Sequence, residues 1–114
     1  MIKMDGKIYI IGIGPGASEY LTKKAIDTVK MSDYTVGSTR AIELFDDVKN
    51  RIAFNVKDLL DKLEEGVDLA VDENRVSILS TGDPGFSGVL NTVLRISGEK
   101  GFDRKNIEVI PGIS

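Results

Sequence analysis

The sequence predicts an α/β fold with a parallel sheet, on three observations. Ile8, Tyr9, Ile10, Ile11 and Ile13 form an apolar, mostly β-branched run that does not alternate. Such a run suits a strand buried on both faces of a parallel sheet. Four more short apolar runs follow, at residues 34–36, 51–54, 76–80 and 107–110. Segments of helical periodicity separate them, and strands that alternate with helices make a parallel sheet with right-handed crossovers, helices covering both faces.

The first run enters Gly12-Ile13-Gly14-Pro15-Gly16. Leu21-Thr22 opens a helix, with Thr22 as N-cap and Leu21 and Ile26 as a hydrophobic staple. Ala25, Ile26 and Val29 make its buried stripe, and Lys23, Lys24, Asp27 and Lys30 face water. Ser32-Asp33 ends it. Tyr34-Thr35-Val36 is a second strand that stops at Gly37. Ser38 or Thr39 caps a helix running through Arg40, Ile42, Leu44 and Phe45. Arg51-Ile52-Ala53-Phe54 is a third strand. Residues 55 to about 70 form a longer helix with Leu59, Leu60, Leu63 and Val67 on one face and a solvated face of acids and lysines.

Val76-Ser77-Ile78-Leu79-Ser80 is the fourth strand. It runs into a second glycine-rich loop, Thr81-Gly82-Asp83-Pro84-Gly85-Phe86-Ser87-Gly88. Val89, Leu90, Val93, Leu94 and Ile96 are the apolar positions of the next helix, which Gly98 and Gly101 end. Residues 107–110 read as another buried strand, followed by Pro111-Gly112-Ile113-Ser114. A strand that delivers a turn to the binding edge and stops there suggests a fragment, with residues 1–114 as a first domain and a second domain absent.

Glycine lets backbone approach a ligand closely, and open α/β folds bind ligands at the carboxyl ends of their strands. Both glycine-rich loops lie at that end. If strands one and four are neighbours, the loops are two walls of one crevice. The dinucleotide fingerprint fails here: the third glycine comes one residue early, Pro15 offers no N–H, and Val36-Gly37-Ser38 supplies no carboxylate for a ribose. No Gly-Lys-Ser/Thr follows for a phosphate, and Glu19 would repel one. Asp83 either caps its own backbone in an Asx-turn or meets the ligand. Phe86 is either a core residue of the next helix or an apolar wall for a ring. Thr81 offers a hydroxyl at the mouth. Arg40 is either a surface arginine or a bidentate grip on a carboxylate.

Composition narrows the chemistry. With 114 residues, 41% hydrophobic and 29% charged, the chain suits one core. Its net charge of −3, without a basic stretch, argues against nucleic acid. It has no cysteine and no histidine, which removes disulfides, thiol catalysis, a histidine base and the commonest zinc ligands. No metal site is expected, and no catalytic residue is identified. No stretch approaches the ~20 apolar residues of a membrane span. The N-terminus leads straight into a strand without a signal peptide, so a cytoplasmic protein is expected.

Three motifs in register resemble the tetrapyrrole methylases: Gly12-Ile13-Gly14-Pro15-Gly16 with Tyr20-Leu21-Thr22, Gly82-Asp83-Pro84, and Ile110-Pro111-Gly112-Ile113-Ser114. The resemblance covers the whole chain. It implies a five-stranded parallel sheet in the order 3-2-4-1-5, the N-terminal domain of a two-domain enzyme that binds S-adenosylmethionine in the interdomain cleft and forms homodimers. It implies cofactor contacts at Gly12, Gly14, Pro15, Gly16, Thr81, Gly82, Asp83 and Phe86. Members acting early in the pathway carry a Tyr-Asp pair after the second strand, and Gly37-Ser38 stands there instead. Val36-Gly37-Ser38-Thr39-Arg40 is similar to the pattern of members that methylate carbon 5 of cobalt-precorrin-7 in cobalamin biosynthesis. That likeness makes Ser38 and Arg40 substrate contacts and a small-molecule tetrapyrrole the partner. Other enzymes of this fold, including diphthine synthase and ribosomal-RNA methylases, are alternatives, as are an NADP-binding oxidoreductase domain and a plain scaffold. As a fragment with one cleft wall, the chain is expected to fold without transferring a methyl group.

Overall fold

The computed structural model describes residues 6–13, 21–81 and 88–111. The elements are β1 (Lys7–Ile13), α1 (Lys23–Met31), β2 (Tyr34–Ser38), α2 (Thr39–Ile42), β3 (Arg51–Phe54), α3 (Leu59–Val71), β4 (Arg75–Thr81), α4 (Val89–Glu99), a single 3₁₀ turn (Arg104–Asn106) and β5 (Ile107–Pro111). The five strands form one parallel sheet in the order β3-β2-β4-β1-β5, as expected. Among the described residues no helix is long and apolar enough to cross a membrane.

Side chains alternate across the sheet and divide the core in two. Ile8 and Ile10 of β1, Val36 of β2 and Val76 and Ile78 of β4 pack with Leu63, Val67 and Ala70 of α3 and Val89, Val93 and Ile96 of α4. Tyr9, Ile11 and Ile13 of β1, Leu79 of β4 and Ile110 of β5 pack with Ala25 and Val29 of α1 and Ala41, Ile42 and Phe45 around α2. The non-alternating run of β1 thus fills both layers, as its sequence requires.

The helices depart from expectation at their rims. Thr22 caps α1, its hydroxyl accepting from the Ala25 N–H at 3.1 Å. The buried stripe is Ala25, Thr28 and Val29, while Ile26 is 38% exposed. Ile26 lies one residue off the stripe and faces a groove of about 550 Å³ between α1 and the segment after α2. α2 is a single turn rather than a helix reaching Phe45, because Glu43 and Leu44 already belong to the turn that leads away. α3 starts at Leu59, since Asn55 and Asp58 bind each other's backbone N–H groups in a turn before it. Its buried positions are Leu63, Gly66, Val67 and Ala70, which leaves Leu60 on the rim, 57% exposed. Gly98 lies inside α4, and Gly101 follows the helix with φ +71°.

β5 is an edge strand rather than a buried one: it pairs with β1 alone, and Val109 is 57% exposed. β4 also carries a polar residue into the core. Ser77 is fully buried and bonds through its hydroxyl to Ser32, whose own hydroxyl donates to the Thr28 carbonyl at 2.7 Å. Since the single Ser32 proton is committed there, Ser77 is the donor of the pair.

Two close approaches fix the opposite end of the sheet and the α3–α4 contact. Gly6 is buried against the end of α3, where a Cβ would overlap the Ala70 carbonyl oxygen and come within 2.8 Å of the Asn74 oxygen. Lys100, after α4, places its ammonium 2.8 Å from Asp68 Oδ1 and 3.9 Å from Glu64 Oε1 of α3. The Asp68 hydrogen bond raises the Lys100 pKa above its ordinary value against an opposing desolvation, and the charges of Asp68, Glu64 and Glu99 add to it.

Gly6→Ala forces backbone to move, and is expected to cost about 2–3 kcal/mol, lowering the thermal midpoint by on the order of 10 °C in calorimetry. A raised lysine pKa stabilises the fold fully below the unfolded value and loses that contribution as pH rises through the folded one. The difference in midpoint between wild type and Lys100→Met should therefore be constant from neutral pH upward and shrink above pH ~10. A difference that grows there would contradict the assignment.

Candidate functional site

In a parallel sheet every strand delivers its carboxyl end to one edge, so the exits of β2, β4, β1 and β5 lie in that order along it. At ~4.8 Å per strand, the row from β2 to β5 spans about 14 Å, a width suited to a small ligand. Register places Gly12 beside Ser80 on one side and Pro111 on the other, and Ile13 beside Thr81. The two glycine-rich loops therefore leave adjacent strands, as expected, and a third exit follows from β5.

Four of the residues singled out in the sequence lie within the described part. Gly12 is exposed, and a Cβ there would meet nothing within 4 Å among the described residues. It shares the α3/α4 face with Ser80, Ile10 and Val109 by register. Thr81 turns to the opposite, α1/α2 face with Ile13. Its hydroxyl oxygen is buried and has no hydrogen-bond partner among the described residues. Gly12 and Thr81 thus sit on neighbouring strands but on different faces of the sheet.

Ser38 ends β2 and is nearly buried, at 7% exposure. Its hydroxyl accepts from the Ala41 N–H at 3.2 Å, capping α2, and no acceptor among the described residues takes its proton. Arg40 is exposed on α2, and no carboxylate among the described residues pairs with it. Gly14, Pro15, Gly16, Gly82, Asp83 and Phe86 lie outside the described residues.

The exit of β5 is fastened to α1. The Thr22 hydroxyl donates to the Pro111 carbonyl at 2.9 Å, and Lys24 Nζ is 3.2 Å from Glu108 Oε2. Ser80, on the face of Gly12, and this second bond of Thr22 were not foreseen. The period-2 register with β1 could have pointed to Ser80, whereas nothing in the sequence signals a bond between residues so far apart. Among the described residues no cluster of acids could hold a metal ion.

A family model described as Tetrapyrrole (Corrin/Porphyrin) Methylases matches residues 7–114. A protein of Methanocaldococcus jannaschii named as a probable cobalt-precorrin-7 C(5)-methyltransferase is 48% identical over 94% of this chain and 49% of its own length. A cobalt-factor III methyltransferase of Priestia megaterium is 32% identical over 97% of this chain and 22% of its own. The crystal structure of a precorrin-6Y methylase from Archaeoglobus fulgidus superposes with a TM-score of 0.63 at 28% identity, covering 96% of this chain and 54% of that one. The chain spans about half the length, or less, of the curated relatives it matches.

Removing a buried hydroxyl that has no partner costs the fold little, because the replacement strands no other group. Thr81→Val is therefore expected to leave the thermal midpoint unchanged or slightly raised. A loss beyond about 1 kcal/mol would show that the hydroxyl has a structural bond.

Proposed function

The chain belongs to the tetrapyrrole (corrin/porphyrin) methylases, and on that premise we propose that it forms the S-adenosylmethionine-binding part of a methyltransferase of cobalamin biosynthesis that methylates carbon 5 of cobalt-precorrin-7. One observation carries the cofactor half of the reading. Among the described residues, the exit of β1 leaves open the space a Cβ would fill at Gly12 on one face of the sheet, and the exit of β4 carries the buried, unpartnered hydroxyl of Thr81 on the other. A backbone cradle with one hydroxyl suits a ligand approached through its uncharged parts. The 48% identity to the Methanocaldococcus jannaschii protein favours carbon 5, while the relative acting on cobalt-factor III marks another position of the macrocycle as the second reading.

When bound, S-adenosylmethionine supplies an electrophilic methyl group. The chain's own residues then have modest tasks. Gly12, with the loop 12–16, lets backbone close on the cofactor, and Thr81, Gly82, Asp83 and Phe86 form the facing wall. Arg40 grips a macrocycle carboxylate through its guanidinium fork. Ser38 donates its free proton to an acceptor on the same substrate. Positioning in a dry cleft can supply much of the acceleration without a strong base. The reading includes a second domain as the other cleft wall, a homodimer and a cytoplasmic location, and the isolated chain is inactive in it.

Gly12→Val tests it. A β-branched residue suits an exposed strand position with open space, so the fold is expected to stay as stable as wild type. The side chain fills the cradle, and S-adenosylhomocysteine affinity is expected to fall at least tenfold in titration calorimetry. Undiminished affinity would remove the β1 exit from the site. Incubating the enzyme with cobalt-precorrin-7 and labelled cofactor, and locating the label by NMR, decides between carbon 5 and another carbon.

A further inference from the structure

Pro111, the last residue of β5, is held from two sides. Gly12 of β1 pairs with it in register. Thr22, the cap of α1, donates its hydroxyl proton to the Pro111 carbonyl oxygen at 2.9 Å. The same Thr22 oxygen accepts the Ala25 N–H at 3.1 Å and so caps α1. We propose that Thr22 is a positioning residue for the cofactor site: its hydroxyl fixes the start of α1 against the exit of β5, so that Pro111 and its ladder partner Gly12 keep one geometry at the ligand. The inference rests on the cofactor reading above.

The placement argues for more than a helix cap. A cap needs only an acceptor, and serine, threonine, aspartate and asparagine all serve. The donor half of the hydroxyl is spent on a carbonyl 89 residues away. That carbonyl belongs to the last residue of β5, at the point where the ladder with β1 stops. The nearby Lys24–Glu108 pair is exposed on both sides, and such pairs hold position weakly. Thr22 is therefore the specific side-chain link between α1 and the exit of β5 among the described residues.

The two roles separate by chemistry. Thr22→Ser keeps both donor and acceptor. Thr22→Asp keeps the cap, and its charge suits the helix N-terminus, but an ionised carboxylate has no proton to give Pro111. Thr22→Val loses both. The three variants and wild type are compared for thermal midpoint, for S-adenosylhomocysteine affinity by NMR titration, which reads millimolar binding, and for amide exchange at Gly12 and Leu21. Serine is expected to match wild type in all three. Aspartate is expected to keep the midpoint, lose roughly tenfold in affinity and speed exchange at both amides. Valine is expected to lose midpoint and affinity together. An aspartate variant that binds and exchanges like wild type overturns the proposal and leaves Thr22 as a cap only. If wild type carrying its second domain shows no affinity, the cofactor reading falls, and the exchange rates of the aspartate variant alone decide whether the tether holds the strand exits.

Discussion

Everything at the binding edge depends on the pairing of β1 on both sides. Its ladder with β4 sets Gly12 beside Ser80 and Ile13 beside Thr81, and its ladder with β5 sets Gly12 beside Pro111. Because the pairing is parallel, three chain exits far apart in sequence meet without any side chain having to bring them together. A slip of one residue in either ladder would turn every β1 side chain to the wrong layer, since the period across a strand is two. Both layers are filled with close-packed isoleucine, valine and leucine, so the core itself enforces the register that the site needs.

The site proposed at this edge would be built mostly from backbone, hydroxyls and one guanidinium. That agrees with a sequence lacking histidine and cysteine. An incoming reagent with a good leaving group asks the protein for placement more than for proton transfer. The sheet provides placement, because strands positioned by a packed core are stiffer than loops alone.

The strands were legible in the sequence because apolar runs bounded by turn residues leave few other readings. β3 falls within the predicted bounds, and β1 fills both layers as its pattern requires. Helix rims were less legible. Ile26 and Leu60 are as apolar as their buried neighbours, and their place at the edge of the buried stripe leaves them exposed. The exposure of β5 was hidden for a related reason: its sequence matches an internal strand, and the edge position is set by strand order rather than composition. Ser77 shows the converse, a polar residue in a central strand whose partner Ser32 comes from the end of a helix. At the site, the glycine-rich exits were visible as motifs. The second bond of Thr22 was not, since its acceptor is a carbonyl, which every residue possesses.

The central place of β1 also shapes how the chain must fold as it is made. Lys7 finds its partner Arg75 only about 70 residues later, and Ile8 finds Ile107 about 100 residues later. At ribosomal speeds the most apolar strand of the protein spends on the order of 5–20 s before its last neighbour emerges. Local helices can form in that interval, but the sheet cannot close, and pairings so distant in sequence are slow to form even in the finished chain. The feature that gathers the binding edge so economically is the same one that leaves the nascent polypeptide most exposed to aggregation, and it makes this strand the natural point of engagement for a chaperone.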